Sequence, residues 1–379
     1  MARYKEPVIR PVWAEINLQS IKDNICAIQA HVGSGVQLMA VVKAEAYGHG
    51  AVEVAKAARS VGVHWFGVSL PEEGIALRKV GITEPILVFG PLQTSQVGPV
   101  VKYDLTSTVC LEEAVRALSS EAVRQGKTAK VHVKIDTGMG RVGVLPGQAV
   151  DFVQKIRELP GIEVEGIFSH FATADEADLG YAYQQLRVFN GALARLGEAG
   201  ISVPVRHIAN SGAIIGMPEA YFDLVRPGII LYGLYPSDEV AKERIALKPA
   251  FSLKTRITHV KKVPAGTGIS YGQIYHTKQE TGIATIPIGY ADGWSRLLSG
   301  KAHVLIHGRR FPIVGRICMD QCMVEIGDEP VKVGEEVVLI GRQGDAVITV
   351  EEVAGHLGTI NYEVICMISD RVPRVFVGN

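Results

Sequence analysis

The stretch FDLVRPGIILYG (222–233) is the last of eight short apolar, β-branched runs in the first 245 residues. Runs of this kind are typical of strands that are buried on both faces. Segments of helical periodicity separate the runs, for example LEEAVRALSSEAVRQG (111–126), and a glycine or proline closes each segment. The seven earlier runs are VQLMAVV (36–42), HWFGVS (64–69), PILVFG (85–90), DLTSTVC (104–110), KVHVKID (130–136), VEGIFSH (164–170) and VRHIAN (205–210).

Strands that alternate with helices predict parallel pairing through right-handed crossovers. Eight such units are the number that closes a (β/α)8 barrel of the TIM type. An open doubly wound sheet is the alternative, but it does not require eight units. We therefore predict an α/β fold with a TIM-type barrel in the first part of the chain.

The sequence changes in character from about residue 247. Short alternating strands with glycine-rich turns replace the helices, as in AHVLIHGRRFPIVGRICMD (302–320). This pattern predicts a second, mostly antiparallel β domain. We expect the barrel over residues 1–245 and the β domain over residues 246–379, with packing of residues 1–18 on the β domain as an option.

The composition argues against several classes of function. Thirty-nine basic and 39 acidic residues give a formal net charge of zero, which favours neither nucleic acid nor an anionic membrane as a partner. The first residues contain no apolar run of signal-peptide length and no stretch approaches eighteen continuous apolar residues, so we expect neither a signal peptide nor a transmembrane helix. The five cysteines are scattered and indicate reduced thiols in a cytoplasmic protein. Cys318 and Cys322 lack a second pair, so CMDQC indicates a structural turn, and we expect no metal.

Polar residues follow the predicted strands at their carboxyl ends. In (β/α)8 barrels the catalytic residues lie at these strand ends. Each has an ordinary alternative role: a lysine can extend from the core to water, and a histidine can be a satisfied core residue. Their occurrence together on one face favours a shared site. They are Lys43, Lys134 with Asp136, His170, His207 with Asn210, and Arg226.

The loops after the seventh and eighth strands commonly bind phosphate in such barrels. Here they contain NSGA (210–213) and RPGII (226–230), whose small residues let backbone N–H groups approach an anion. Together they predict a phosphorylated ligand. A lysine at the end of the first strand then suggests a Schiff base with an aldehyde.

Nine motifs in order, from about residue 11 to the carboxyl end, resemble the alanine racemase family. They are AVVKAEAYGHG, KIDTGMGRVG, SHFATADE, HIANSGA, DLVRPGIILYG, GISYG, IPIGYADGW, GRICMDQ and INYEV. The resemblance implies a barrel followed by a β domain, pyridoxal 5'-phosphate as cofactor, and interconversion of L- and D-alanine. Glu45 and Asp370 depart from the family pattern, and neither is at a position that we assign to catalysis.

The resemblance also implies the cofactor contacts. Lys43 would carry the cofactor as a Schiff base, Arg141 would reach the phenolic oxygen, His170 would pack on the ring, and Arg226 would face the pyridine nitrogen. In the family Lys134 is often a carbamate that steadies Arg141, and a lysine paired with Asp136 is the alternative. The remaining contacts, mainly to phosphate, would come from Tyr47, Asn210, Ser211, Gly228, Ile229 and Tyr362.

Racemisation requires two acid/base groups on opposite faces of one carbon. By resemblance these are Lys43 and Tyr271, the latter supplied by the β domain of a partner subunit in a homodimer. His207 would hydrogen-bond Tyr271. Substrate binding would fall to Arg141 and to Tyr290, Met319 and Asp320 of the partner subunit.

Arg226 distinguishes racemisation from the other reactions of this cofactor. An arginine cannot accept a proton and so does not keep the pyridine nitrogen protonated, which disfavours decarboxylation and transamination. A serine or broad-specificity racemase of the same fold remains an alternative. A non-enzymatic protein that holds the cofactor is a further alternative, but Tyr271 and the β domain argue against it.

Overall fold

In the computed structural model, which describes residues 9–378, eight parallel strands form one sheet between Gln37 and Val225. The order β8-β7-β6-β5-β4-β3-β2-β9 brings the first and last strands together through the pair Gln37 and Leu224. The eight strands are β2 (Gln37–Val41), β3 (Trp65–Val68), β4 (Ile86–Pro91), β5 (Thr106–Val109), β6 (Ala129–Lys134), β7 (Ile162–Phe168), β8 (Val205–His207) and β9 (Leu224–Val225), numbered after β1 (Val12–Asn17).

Two backbone hydrogen bonds close the remaining seam between β8 and β9. The Asp223 N–H donates to the Arg206 carbonyl at 3.1 Å, and the Arg226 N–H donates to the Ala209 carbonyl at 3.0 Å. The predicted (β/α)8 barrel is thus confirmed. The last strand is much shorter than its apolar run because Pro227 has no N–H to donate and a 3-10 helix follows at Ile229–Tyr232.

Helices connect these strands and cover the sheet. In α6 the buried side chains recur at helical spacing, so one face packs inward while charged residues face outward. The helices up to residue 216 are α1 (Leu18–Val32), α2 (Lys43–Gly48), α3 (Ala51–Ser60), α4 (Pro71–Lys79), α5 (Val97–Lys102), α6 (Glu112–Arg124), α7 (Ala149–Arg157), α8 (Gly180–Glu198) and α9 (Ser211–Gly216). None of the helices within residues 9–378 is both long and apolar enough to cross a membrane.

Contacts divide the chain into a barrel unit, Gln19–Pro249, and a β unit, which combines the segment up to Leu18 with the segment from Ala250. In the β unit, β1 pairs antiparallel with β10 (Phe251–Arg256) and parallel with β20 (Arg374–Val377). Packing of residues 1–18 on the β domain was an option: residues 9–18 belong to the β unit, and residues 1–8 lie outside the described residues.

The β unit is otherwise an antiparallel sheet in the order β11-β14-β17-β16-β15-β18-β10-β1-β20, as the sequence predicts for this part of the chain. Alternating burial in β10 and β17 shows that one face of the sheet is packed and the other is more open. The further elements are β11 (His259–Val263), β12 (Gly268–Ile269), β13 (Tyr275–His276), β14 (Thr281–Ile286), β15 (His303–Ile306), β16 (Arg309–Val314), β17 (Cys322–Gly327), β18 (Glu336–Gln343), β19 (Ala346–Ile348), α10 (Val350–Leu357) and α11 (Asn361–Met367).

Candidate active site

The polar residues predicted from the strand ends lie at the carboxyl ends of the barrel strands. Because neighbouring strands are parallel, these ends share one mouth of the barrel. The side chains of Lys134, His207 and Arg226 are buried, whereas Lys43 and His170 are half-buried. Lys43 follows β2, Lys134 ends β6, His170 follows β7, His207 ends β8 and Arg226 follows β9.

The chain turns left-handed immediately after Lys43. Residues Ala44 to Tyr47 all have φ between 51° and 54°, a conformation that costs about 1–2 kcal/mol for each residue with a side chain. The hydrogen bond from the Ala46 N–H to the Val42 carbonyl, 2.9 Å long, closes the turn. Such strain at a strand end is typical of functional sites.

Glu73, in the first turn of α4, holds this strained turn. One carboxylate oxygen accepts the Ala44 N–H at 2.6 Å, and the other accepts the N–H groups of Ser69 and Leu70 at 2.7 and 3.0 Å. The carboxylate thereby ties the backbone beside Lys43 to the end of β3. Glu73 was not predicted from the sequence, because an acidic residue in a first helical turn also has an ordinary capping role.

Arg226 is buried and donates only to neutral groups. Its guanidinium donates to Nδ1 of His207 at 2.7 Å, to Nδ1 of His170 at 3.2 Å, and to the carbonyls of Ser169 and Ile208 at 2.8 and 2.9 Å. Burial first, and then Arg141, lowers the pKa of Arg226 to about 9, so the group is still a cation at neutral pH.

The expectation that His207 hydrogen-bonds Tyr271 does not fit this geometry. Both ring nitrogens of His207 already have partners inside the barrel, Nδ1 with Arg226 and Nε2 with Nδ1 of His132 at 2.8 Å. The ring is completely buried and stacks on Phe168. His207 therefore supports Arg226, and the sequence analysis missed His132 as its partner.

Cationic groups concentrate around His170. Burial, followed by the charges of Arg226, Lys134, Arg141 and Lys43, lowers the pKa of His170 well below its usual value. Arg226, Arg141 and Lys43 therefore place positive charge at the mouth of the barrel. Such a set of side chains suits an anionic ligand.

Lys134 lies at the centre of this charge. Burial, Arg226 and Arg141 lower the pKa of its ammonium well below the usual value, although Asp136 opposes the shift. Within residues 9–378 no ion pair joins Lys134 to Asp136, whose Oδ1 accepts instead from the Gly138 and Gly140 N–H groups at 2.9 and 3.1 Å. The neutral amine is thus favoured, and the predicted salt-bridged alternative is absent from this geometry.

The two loops predicted to bind phosphate meet each other. The Gly228 N–H donates to Oγ of Ser211 at 3.0 Å, and a Cβ at position 228 would lie 2.8 Å from the Tyr47 hydroxyl. Glycine therefore leaves open a space bounded by Tyr47 and Ser211. Asn210 is the N-cap of α9, with its Oδ1 accepting the Ala213 N–H at 3.1 Å, and Ile229 is buried behind the loop.

The β unit carries the remaining candidate residues at its surface. Tyr271 is 70% exposed and lies in a tight turn where Ser270 has φ 65°. Tyr290 and Met319 are also exposed, and their loops are joined by the hydrogen bond from the Ala291 N–H to the Met319 carbonyl at 3.1 Å.

Asp320 and Tyr362 complete the set in the β unit. Asp320 is exposed and accepts from Arg371 at 2.6 Å, an ion pair that was not predicted. Tyr362 is half-buried in α11.

Comparison with known proteins gives consistent similarities over both units. Residues 16–236 match the family model described as alanine racemase, N-terminal domain, and residues 250–376 match the model described as alanine racemase, C-terminal domain. The alanine racemase of Desulforamulus reducens is 50% identical over 370 residues, which cover 97% of this chain and 99% of that protein.

Solved structures have the same fold. Alanine racemase of Clostridium difficile 630 has a TM-score of 0.94 at 45% identity, covering 98% of this chain and 97% of that one. Alanine racemase from Bacillus anthracis with bound L-Ala-P has a TM-score of 0.93 at 42% identity, covering 99% and 97%. A histidine racemase from Leuconostoc mesenteroides subsp. sake has a TM-score of 0.91 at 29% identity, covering 99% and 100%.

Proposed function

The chain belongs to the alanine racemase family, and from this membership we propose that it interconverts L-alanine and D-alanine with pyridoxal 5'-phosphate as its cofactor. The observation that carries the proposal is Lys43, placed by a strained turn at the same barrel mouth as the cationic cluster around His170. When bound, pyridoxal 5'-phosphate supplies the electron withdrawal that makes the α-proton of an amino acid removable.

The residues at the barrel mouth fit this cofactor. The cofactor carries a phosphate and a phenolic oxygen, and the positive charge around His170 would offset both. The space left by Gly228 between Tyr47 and Ser211 suits a phosphate that accepts from backbone N–H and hydroxyl groups. We assign phosphate binding to Tyr47, Ser211, Gly228, Ile229 and Tyr362, with Asn210 holding the helix that presents Ser211.

Arg226 is the residue that selects racemisation among the reactions of this cofactor. We assign it to the pyridine nitrogen, which it can only face as a donor. Its partners are imidazoles and carbonyls, and among residues 9–378 no carboxylate is bonded to it. A nitrogen left unprotonated makes a weaker electron sink, which suits a simple proton exchange rather than decarboxylation or transamination.

Two bases on opposite faces of the substrate carry the proton exchange. We assign the Lys43 amine to one face and the hydroxyl of Tyr271 of the partner subunit to the other. Because His170 accepts from Arg226 on Nδ1, its proton is on Nε2 when the ring is neutral, and this N–H is available as a donor. We assign substrate binding to Arg141 and to Tyr290, Met319 and Asp320 of the partner subunit.

Lys134 is proposed to be a carbamate. A neutral amine adds to carbon dioxide, forming a C–N bond and releasing one proton, and the lowered pKa of Lys134 favours that neutral amine. The carbamate would place a negative charge between Arg141 and Arg226, whose mutual repulsion is otherwise unrelieved.

The candidate residues are divided between the barrel unit and the β unit. This division supports a homodimer whose active sites are shared between subunits. The barrel unit carries Lys43, whereas Tyr271, Tyr290 and Met319 lie exposed on the β unit. Exposed side chains with a catalytic role require a second surface, and a C2 dimer would provide two equivalent sites.

The proposal is tested by measuring the racemisation of alanine, serine and histidine by the purified protein with added cofactor. We expect kcat/KM to be highest for alanine, whereas faster turnover of serine or histidine would identify one of the other racemase activities. Lys43→Ala should abolish turnover, and the matched variant Lys56→Ala, which changes an exposed lysine in α3, should retain it. A protein that racemises none of the three amino acids would contradict the proposal.

A further inference from the structure

A row of polar side chains crosses the interior of the barrel, from Arg226 at the site to the amino-terminal end of β6. Arg226, His207, His132 and Glu165 are all less than a tenth exposed, and the row ends at the partly exposed Lys130. The successive distances are 2.7 Å from Arg226 to His207, 2.8 Å from His207 to His132, 3.4 Å from His132 to Glu165, and 2.6 Å from Glu165 to Lys130.

The backbone is shaped to hold this row. A Cβ at Gly166 would lie 2.5 Å from the His132 ring, so only glycine leaves room for the imidazole at that point of β7. The ring of His207 stacks on Phe168 with centroids 4.7 Å apart. Neither imidazole is needed to fill an apolar core, yet both are completely buried.

The chemistry of the groups fixes the proton on each ring. Arg226 can only donate, so Nδ1 of His207 must accept, and a neutral His207 carries its proton on Nε2. That proton is donated to Nδ1 of His132, whose own proton is therefore on Nε2, facing Glu165. Burial is the largest cause that lowers the pKa of both histidines, which keeps them neutral.

Glu165 completes the row as an acceptor. Burial raises the pKa of its carboxyl, but the hydrogen bond from Lys130 at 2.6 Å and the His132 ring 3.4 Å away outweigh burial and leave the pKa lowered. Glu165 is therefore a carboxylate that can accept from both sides. The reversed arrangement, with both imidazole protons on Nδ1, would direct a donor of His207 against the guanidinium and an unprotonated Nε2 of His132 against this carboxylate.

We propose that Glu165 is a positioning residue for Arg226, acting through His132 and His207. Its carboxylate and the guanidinium favour the same tautomer of both imidazoles from opposite ends of the row, and that tautomer presents an acceptor to Arg226. The consequence for racemisation rests on the proposed function, whereas the tautomers themselves do not.

The test is 15N NMR of protein labelled at histidine, in which two-bond correlations identify the protonated ring nitrogen. His132→Gln and His207→Gln would assign the two signals among the 11 histidines. In the native protein we expect both rings to be neutral and protonated on Nε2. In Glu165→Gln we expect a second tautomer, because an amide can donate to His132 as well as accept from it.

Glu163→Gln is the matched control. It removes the same charge two residues away, 3.8 Å from the Lys130 amine, on an exposed side chain that does not contact His132. It should leave the tautomers and turnover unchanged. Glu165→Gln should lower kcat for alanine about tenfold to a hundredfold, with a smaller change in KM, because a small displacement of Arg226 acts on the reacting geometry.

Two outcomes would overturn the proposal. One is a native His132 or His207 that is charged or protonated on Nδ1, a measurement that needs no variant to fold. The other is a Glu165→Gln protein with native tautomers and native kcat. The protein could also show the predicted tautomers by NMR but racemise no amino acid. That result would contradict the proposed function and leave the tautomer assignment intact.

Discussion

The buried row of the barrel unit and the surface candidates Tyr271 and Met319 of the β unit lie in opposite environments. In the barrel unit Arg226 is 4% exposed and His207 is completely buried, and both are bonded to other side chains of the same unit. In the β unit Tyr271 is 70% exposed and Met319 is 52% exposed. The buried barrel residues are therefore held by their hydrogen-bond partners, whereas Tyr271 and Met319 have exposed side chains.

Because of this difference, we expect variants of the two sets of residues to differ in their effects on stability and on activity. A variant in the barrel row should change both, because each side chain satisfies buried partners. A variant of an exposed β-unit side chain should change activity alone. Each of the predictions below can break that distinction.

The largest effect is expected for Arg226→Glu. The change removes the donor of four hydrogen bonds and places a carboxylate among their acceptors, so we expect the free energy of unfolding to fall by about 3–5 kcal/mol. Racemisation should fall by about a thousandfold, and transamination should become detectable, because a carboxylate keeps the pyridine nitrogen protonated. Denaturant unfolding and product analysis measure the two effects. Near-native racemisation would refute the assigned role of Arg226.

Tyr271→Phe should affect activity alone. Loss of the hydroxyl removes one of the two proposed bases, so we expect turnover to fall by about a hundredfold or more. The melting temperature should stay within about a degree of native, because a surface substitution away from packed partners costs little. A large loss of stability would show that the exposed tyrosine supports the fold, and the contrast between the units would fail.

The pH dependence of stability should follow the buried histidines of the barrel. His132, His170 and His207 have lowered pKa values in the folded protein, with burial as the largest cause. The unfolded chain takes up protons below about pH 6.5 that the folded protein does not, so stability is lost as pH falls.

The expected loss is up to about 1.4 kcal/mol for each histidine per pH unit. Denaturant unfolding between pH 7.5 and 5.5 measures it, and His132→Asn should reduce the slope, whereas the exposed His259→Asn should not. A free energy of unfolding that stays level or rises from pH 6.5 to 5.5 would contradict the buried neutral state of these rings.

The smallest effect is expected for Gly289→Ala in the β unit. A Cβ there would lie 2.2 Å from the Cys318 carbonyl oxygen and 2.4 Å from that of Met319, so the loop that carries Met319 must move. We expect a loss of about 1–3 kcal/mol and a higher KM for alanine. Gly355→Ala, within α10 and with nothing within 4 Å of its Cβ, is the control and should be neutral or stabilising. If the two variants had the same stability and the same KM, the close approach of the backbone at Gly289 would not be what holds the loop of Met319 in place.

The barrel was predictable from sequence because eight apolar runs and the intervening helical segments are local patterns. The left-handed turn over Ala44–Tyr47 was not, since alanine and glutamate favour a right-handed helix, and Glu73 and the preceding strand impose the turn from outside. The pairing of His207 with His132 depends on β6 and β8 lying on either side of β7, so that both rings meet inside the barrel, which no spacing along the chain reveals. For the same reason the sequence did not reveal that both ring nitrogens of His207 have partners inside the barrel unit.

A mixture of two inactive proteins tests the proposed sharing of sites most directly. Lys43→Ala removes the lysine of the barrel unit and Tyr271→Phe removes the hydroxyl of the β unit. If each site combines the lysine of one subunit with the tyrosine of the other, a mixed dimer has one site with both defects and one intact site. Random exchange of equal amounts makes about half of the dimers mixed, so about a quarter of native activity should return. Zero activity, with subunit exchange confirmed independently, would contradict the shared site.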